Sequence, residues 1–414
     1  MKIYLIGIGG IGVSALAQYY LSRGHKVSGS DLVASEITDF LLNKGIAINI
    51  GQTQSNISND IDLVVYSPAV TKDNPEYIKA KELGIKLKTY PEALGELTKE
   101  YFTIAISGSH GKSTTTAMIA LILIKAGLDP TVIVGTKLKE FGGSNFREGK
   151  GKYLVIEACE YDSSFLHYAP KVIVVTNIDK EHLDYFKTFT NVKKAFKDFM
   201  NKLPKDGFLV FKKDNKYPAK DVKMIKNVLK VPGKHNILNA LYTLQVSRNL
   251  EITDEVALKA LSEFKGTWRR FEIKESVVGN KKITVISDYA HHPNEILATF
   301  QAVREKYPDK KIWCVFQPHQ HQRTFYLFND FVKVFKKAKI DNIVITDIYD
   351  VAGREVKEIN REVSSKILVE KIKKKSVRYM SLQDSETYVK ENIQSGDVLV
   401  VMGAGDVYML VEKF

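Results

Sequence analysis

The sequence predicts an α/β protein of three Rossmann-like domains with mostly parallel sheets, the central domain carrying a phosphate loop. Three observations predict it. A strand, a glycine-rich turn and a helix follow one another at the N-terminus, and the pattern restarts at FTIAISG and again after GTWRRFE. Runs such as KYLVIEAC and KVIVVTNI are short and β-branched, the character of strands buried on both faces of a parallel sheet. The chain's 414 residues, 44% hydrophobic and 26% charged, are enough for two or three cores of ordinary size.

The first domain is expected over 1–95. KIYLIGIG reads as a strand, GIGVSALAQYYLSRG as a helix with apolar residues at helical spacing, and HKVSGSD as the next strand. Segments 62–69 and 84–90 read as further strands separated by the helical pattern NPEYIKAKELG, with PEALGELTKE as the exit. The central domain is expected over 96–267. Its strand at 102–108 enters SHGKSTTTAMIALILIKAG, where Ser and Thr fill the first helical turn before an apolar stripe begins, and TNVKKAFKDFMNKL is an amphipathic helix. The stretch between FLVF and VPGKHN is short. The third domain, 268–414, alternates again through KKITVISDYAHHPNEILATFQAVREKYP, KKIWCVFQPH, DNIVITDIYD and DVLVVMGAGDVYML.

Composition excludes disorder, collagen and coiled coil. The net charge of +13 leaves nucleic acid, an anionic surface or small anionic ligands as partners. Cys159 and Cys314 lie far apart and form neither a metal-spacing nor a redox motif, which suits a reducing compartment. No apolar run reaches the roughly 20 residues of a membrane span, and the N-terminal apolar stretch breaks into glycines, unlike a signal peptide. The expectation is a cytoplasmic protein without membrane insertion, a monomer or a weak homodimer.

GIGGIG sets Gly7, Gly9 and Gly12 in G-x-G-x-x-G spacing between strand and helix, with Asp31 ending the next strand. Glycines let backbone N–H groups approach a diphosphate, and the acid can take a ribose hydroxyl. A nicotinamide dinucleotide or a ligand-free tight turn would fit the same letters. GSHGKST is a shorter variety of the phosphate loop: its amides cradle phosphates, Lys112 supplies a cation and Ser113 a hydroxyl for Mg²⁺. Glu157 and Glu160 follow one strand, and His182 and Asp184 follow the next, at the strand ends where α/β folds bind ligands. DYAHHP gathers Asp288, His291 and His292, and HQHQRT adds His319, His321 and Arg323, with zinc a minor alternative. Arg269 and Arg270 of WRRFE can clamp phosphate.

The ordered set GIGGIGVSALA, GSHGKSTTT, EACEYDSSF, TNIDKEHLDYF, PGKHNILNAL, RRFE, DYAHHP, FQPHQHQRT and MGAGD resembles the Mur ligase family across all three domains. The resemblance implies ATP and Mg²⁺ as cofactors. It implies that ATP phosphorylates the lactyl carboxylate of UDP-N-acetylmuramate and that L-alanine attacks the acyl phosphate, a step of peptidoglycan synthesis. A sister branch instead attaches a preformed tripeptide in cell-wall recycling, but FQPHQHQRT and DIYDVAGRE look more like the alanine-adding branch. A nicotinamide-dependent oxidoreductase and a nucleic-acid-binding NTPase are the readings from other classes.

Roles follow from the resemblance position by position. Gly7, Gly9, Gly10, Ile11, Gly12 and Asp31 bind the UDP-sugar, together with Asn145 and Glu160. Gly108, Ser109, His110, Gly111, Lys112, Ser113 and Thr114 hold ATP. Ser113 and Glu157 ligate the first metal, and His182 serves the second. His235, Asn236 and Asn239 frame the adenine, Arg270 meets phosphate, and Asp288 takes the ATP ribose. His291, His292 and Arg323 line the amino-acid end, and with Lys112 and His182 they are the candidate catalytic residues. Gln320 stands where some relatives have Arg. Lys197 matches in spacing a lysine that is carbamylated elsewhere in the family, but reads as an ordinary helix-surface residue.

Overall fold

The computed structural model describes residues 1–212, 214, 216–350, 359 and 362–414. It has two compact units, one formed by Met1–Glu181, Thr188–Val228 and Asn239–Phe264, the other by His182–Lys187, Leu229–Leu238 and Lys265–Phe414. The 351–355 part of DIYDVAGRE lies outside the described residues.

The first unit holds two sheets. β1 (Lys2–Ile6), β2 (Lys26–Asp31), β3 (Ala47–Ile50), β4 (Leu63–Tyr66) and β5 (Lys86–Thr89) form an all-parallel sheet in the order β3-β2-β1-β4-β5. β6 (Phe102–Ser107), β7 (Thr131–Leu138), β8 (Ser144–Arg147), β9 (Tyr153–Glu157), β10 (Val172–Val175) and β11 (Phe208–Val210) form the second, in the order β11-β10-β6-β9-β7-β8. Only β8 runs antiparallel there. β1 and β6 each have neighbours on both sides, so the turn after each opens at the point where the strand order reverses, the ligand crevice of such sheets. The inner strand β10 is apolar throughout because both of its faces are covered: Val172, Ile173, Val174 and Val175 are fully buried.

The second unit holds β12 (Glu272–Val278), β13 (Lys281–Asp288), β14 (Ile312–Phe316), β15 (Asn342–Ile345), β16 (Val377–Tyr379) and β17 (Val398–Met402), in the order β12-β13-β17-β14-β15-β16. β12 is antiparallel to β13. Phe316, Phe331 and Phe335 fill one side of this sheet, and Trp313, Val389 and Leu399 the other.

Several elements differ from expectation. PEALGELTKE is the helix Tyr90–Thr98, started by a capping box between Thr89 and Glu92. β3 and β12 escape the sequence pattern because they are sheet edges: β3 is largely exposed, and β12 mixes charged and apolar residues without clean alternation. The short stretch before VPGKHN contains the helix Ala219–Val228, which Arg248 ties down through Asp221 and Asp254.

Candidate functional site

In the first unit, Gly7 takes φ +77°, a left-handed turn that glycine makes at no cost, and the chain then enters the helix Ile11–Ser22. Asp31 holds this turn from beneath. Its Oδ2 accepts Gly9 N–H at 2.8 Å and its Oδ1 accepts Leu32 N–H at 2.8 Å. Gly10 N–H is spent on the Gly7 carbonyl at 3.1 Å. The N–H groups left for an anion are those of Ile11, Gly12 and Val13 in the first helical turn, so the binding edge sits one step later than the first glycines imply. Asp31 thus clamps the loop through both carboxylate oxygens, each of which keeps a lone pair for a further donor.

Asn145 is held from within the protein. It is buried, donates Nδ2 to the Ile11 carbonyl and to Ser14 Oγ, and accepts Gln18 Nε2 at 2.8 Å. Ser144 Oγ donates to Gln18 Oε1 at 3.0 Å. This buried network ties β8 to the head of the Ile11–Ser22 helix.

The phosphate loop lies between β6 and the helix Lys112–Lys125. Gly108 (φ +136°) and Gly111 (φ +83°) both need positive φ, and both are crowded. A Cβ on Gly108 would strike Thr176, and one on Gly111 would lie 2.5 Å from Asn239 Oδ1. The TNID segment after β10, which carries no glycine signature, fastens the loop. Asn177 accepts His110 N–H at 2.9 Å and returns Nδ2 to the His110 carbonyl, Thr176 Oγ1 donates to the same carbonyl, and Ser109 Oγ accepts Asp179 N–H. His110 Nε2 meets Asp179 Oδ2 at 3.2 Å. Sequence reasoning missed these supports, although polar residues just past a buried parallel strand were the available signal.

Lys112 Nζ lies 3.1 Å from Glu160 Oε2 and donates to the Gly108 carbonyl at 2.6 Å. Glu160 is fully buried. Burial works against the Lys112 charge, but Glu160 and the neighbouring Glu157 outweigh it and hold the ammonium protonated well above its usual range. Glu160 is thus the lysine's counter-ion. Glu157 ends β9 and accepts Gly135 N–H at 2.6 Å. With Ser113 and Thr114 in the first helical turn, these groups supply the oxygen donors that a hard cation takes. Lys197 is exposed, as an ordinary helix-surface lysine would be.

The second unit gathers the remaining residues. His182 heads the short helix Leu183–Phe186 with a left-handed backbone at φ +55°, and Asp184 lies in its first turn. His235 lines a recess of ≈ 290 Å³ with Gly233, Lys234, Ala298, Gln301 and Glu305. Burial and the nearby Arg270 charge push its imidazole down to about 4, so it is neutral at physiological pH. Asn236 and Asn239 do not share that lining. Asn236 donates Nδ2 to the Pro232 carbonyl at 2.6 Å, and Asn239, in the other unit, backs Gly111.

Arg269 is buried, with its guanidinium 4.2 Å from the Tyr408 ring centroid and NH2 donating to the Gly403 carbonyl at 2.6 Å. That corrects its phosphate-clamp role: the side chain is an internal anchor. Arg270 is half-buried, over the Tyr289 ring and 3.4 Å from Glu295. Asp288 accepts Phe271 N–H at 2.9 Å and Ala290 N–H at 2.8 Å, and burial raises its carboxyl to about 6. These contacts brace the linker.

His291 Nδ1 donates to the Tyr289 carbonyl at 3.0 Å, which makes Nε2 the basic nitrogen. His292 is buried and caps the helix Pro293–Lys306 by accepting Asn294 N–H at Nδ1. Arg323 donates to the His319 carbonyl at 3.0 Å, and the His319 ring stacks on Tyr349 and lies 5.9 Å from His291. His321 pairs with Asp350 at 3.0 Å. Gln320 is buried at φ +70°.

Comparison with known proteins gives family matches along the chain. The model described as "Mur ligase family, catalytic domain" matches residues 2–102, "Mur ligase middle domain" 106–229 and "Mur ligase, glutamate ligase domain" 269–405. The UDP-N-acetylmuramate–L-alanine ligase of Clostridium kluyveri is 41% identical over 456 aligned residues, covering 100% of this chain and 97% of the relative. The enzyme of the same name from Caldanaerobacter subterraneus is 42% identical over 457, with the same coverage. Among solved structures, UDP-N-acetylmuramate-alanine ligase from Thermotoga maritima superposes with a TM-score of 0.81 at 29% identity, covering 100% of this chain and 98% of that one. A murein peptide ligase from Psychrobacter arcticus shares the fold, with a TM-score of 0.72 at 22% identity over 100% and 98% of the two chains.

Proposed function

This chain belongs to the Mur ligase family, and from that premise we propose that it joins L-alanine to the lactyl carboxylate of UDP-N-acetylmuramate at the expense of ATP. One observation carries the reading. A single compact unit holds two anion-binding loops, each at the switch point of its own parallel sheet, and so asks for two polyanionic substrates. A nicotinamide oxidoreductase needs only the first loop. We assign 1–95 to the UDP-sugar, 96–267 to ATP and 268–414 to the amino acid.

The residues supply the chemistry as follows. The first-turn amides of the Ile11–Ser22 helix take the sugar nucleotide's diphosphate. Lys112, kept protonated by Glu160, steadies the phosphoryl group as it passes to the carboxylate, where charge builds up. Ser113 and Glu157 would hold Mg²⁺, which neutralises phosphate charge when bound, and His182 keeps the second-metal role that the resemblance gives it. The acyl phosphate then meets the alanine amine, which must be neutral to attack. His291 Nε2 takes the proton that the amine loses, its Nδ1–H held by the Tyr289 carbonyl, while Arg323 pairs with the amino acid's carboxylate. His235 offers a neutral lining for the adenine.

The test is release of ADP and phosphate with UDP-N-acetylmuramate, ATP and a panel of amines. L-Alanine should support turnover and Lys112→Ala, checked for folding, should abolish it. Turnover with a preformed tripeptide alone would overturn the assignment in favour of the recycling reaction.

A further inference from the structure

Tyr90 stands between the two loops of the first unit, and neither the motifs nor the family resemblance assigns it a role. It is the first residue of the helix Tyr90–Thr98, which connects the two sheets. Its backbone is placed firmly. The Thr89–Glu92 capping box fixes the helix start, Pro91 stiffens the first turn, and Gly95 lets the helix approach so closely that a Cβ there would lie 2.5 Å from the His167 carbonyl.

The ring is wedged as firmly as the backbone. A Cβ on Gly12 would lie 2.8 Å from Tyr90 Cζ and 3.0 Å from its hydroxyl. The third glycine of the motif is therefore required by a phenol lying across the helix head, beyond any need of turn geometry. That hydroxyl sits beside the first-turn amides of Ile11, Gly12 and Val13, which the loop leaves open. Among the described residues it has no hydrogen-bond partner, and Glu157 lies close enough for its charge to act on the phenol. Burial, then Glu157, raises the phenol's pKa, so the group remains an O–H donor at any pH the enzyme meets. A neutral donor suits this spot, because a lysine or arginine here would be drawn to Glu157 and away from the anion.

Resting on the UDP-sugar reading above, we propose that Tyr90 is a substrate-binding residue whose hydroxyl donates to an anionic oxygen of the sugar nucleotide's diphosphate at the head of the Ile11–Ser22 helix. It thereby sets the reach of that substrate toward Glu157.

Tyr90→Phe tests this, since the ring and its packing on Gly12 are kept. A hydrogen bond to a charged group is worth enough to predict about a tenfold or larger weakening. Titration calorimetry of full-length protein with UDP-N-acetylmuramate, without ATP, should show that loss. The KM for ATP and the melting temperature should stay within about twofold and about 2 °C of wild type. Wild type that binds the sugar nucleotide while Tyr90→Phe binds it equally would overturn this proposal alone. Wild type that does not bind it would overturn the function reading and this proposal together. Equal losses toward ATP and the sugar nucleotide, or a lowered melting temperature, would make Tyr90 a packing residue and also overturn it.

Discussion

At the scale of single residues, the site is a set of charges whose protonation is chosen by burial. Lys112 stays charged because a fully buried carboxylate faces it, and His235 stays neutral because it is buried beside Arg270. The second case has a measurable sign. An exposed histidine binds its proton near pH 6.5, but folded His235 does so only near 4. Between those values the unfolded chain takes up a proton that the folded chain refuses, so stability is full above pH 6.5 and falls as pH drops toward 4. Denaturant midpoints should decline across that window and level off below it. His235→Gln should remove this part of the slope, and an unchanged slope would show that other groups set it.

At the scale of elements, the phosphate loop illustrates what letters reveal and what they hide. GSHGKST identified the loop, yet Gly111 is demanded by its neighbour as much as by φ. Gly111→Ala combines a left-handed backbone with an overlap against Asn239, which should cost about 1–3 kcal/mol in stability and raise the KM for ATP. Thermal melting and steady-state kinetics read the two effects. Strands and helices with strong periodicity were legible: β1, β6, β9 and β10, and the helices Ile11–Ser22, Lys112–Lys125 and Phe189–Met200, appear where the patterns put them. The edges β3 and β12 were not, because exposed or mixed strands lack alternation. Site residues divide on the same line. Lys112 and Glu157 were readable because a strand end and a loop motif define their surroundings. Asn145, Glu160, Asp288 and His292 have partners inside the protein that were not legible, because tertiary packing sets them and spacing does not encode it. Asn177 and Tyr90 were passed over for the converse reason: their surroundings become special only when distant segments meet.

At the scale of the whole molecule, the positive charge opened several classes of partner. Apart from Lys112, Arg270 and Arg323, much of it lies in runs such as VKVFKKAK and VEKIKKKS, which read as solvated helix faces favouring solubility. Hydrolysis of ATP should therefore respond to the sugar nucleotide and amino acid and stay unchanged by added RNA or DNA at any salt concentration. Nucleic-acid stimulation that fades steeply with salt would revive the NTPase reading. Among the described residues no helix is long and apolar enough to cross a membrane. The curated alignments run to 456 and 457 positions against 414 residues here, so this chain keeps the family's three matched regions in fewer residues.

The buried amide network of Gln18, Ser144 and Asn145 crosses from the region matched at 2–102 to the region matched at 106–229. Those two regions are therefore fastened to each other by buried hydrogen bonds and do not assemble independently of them. A chimera that imports residues 1–102 from a relative must import compatible partners at 144 and 145 with them. Otherwise it will bury an amide facing nothing, at the head of the Ile11–Ser22 helix.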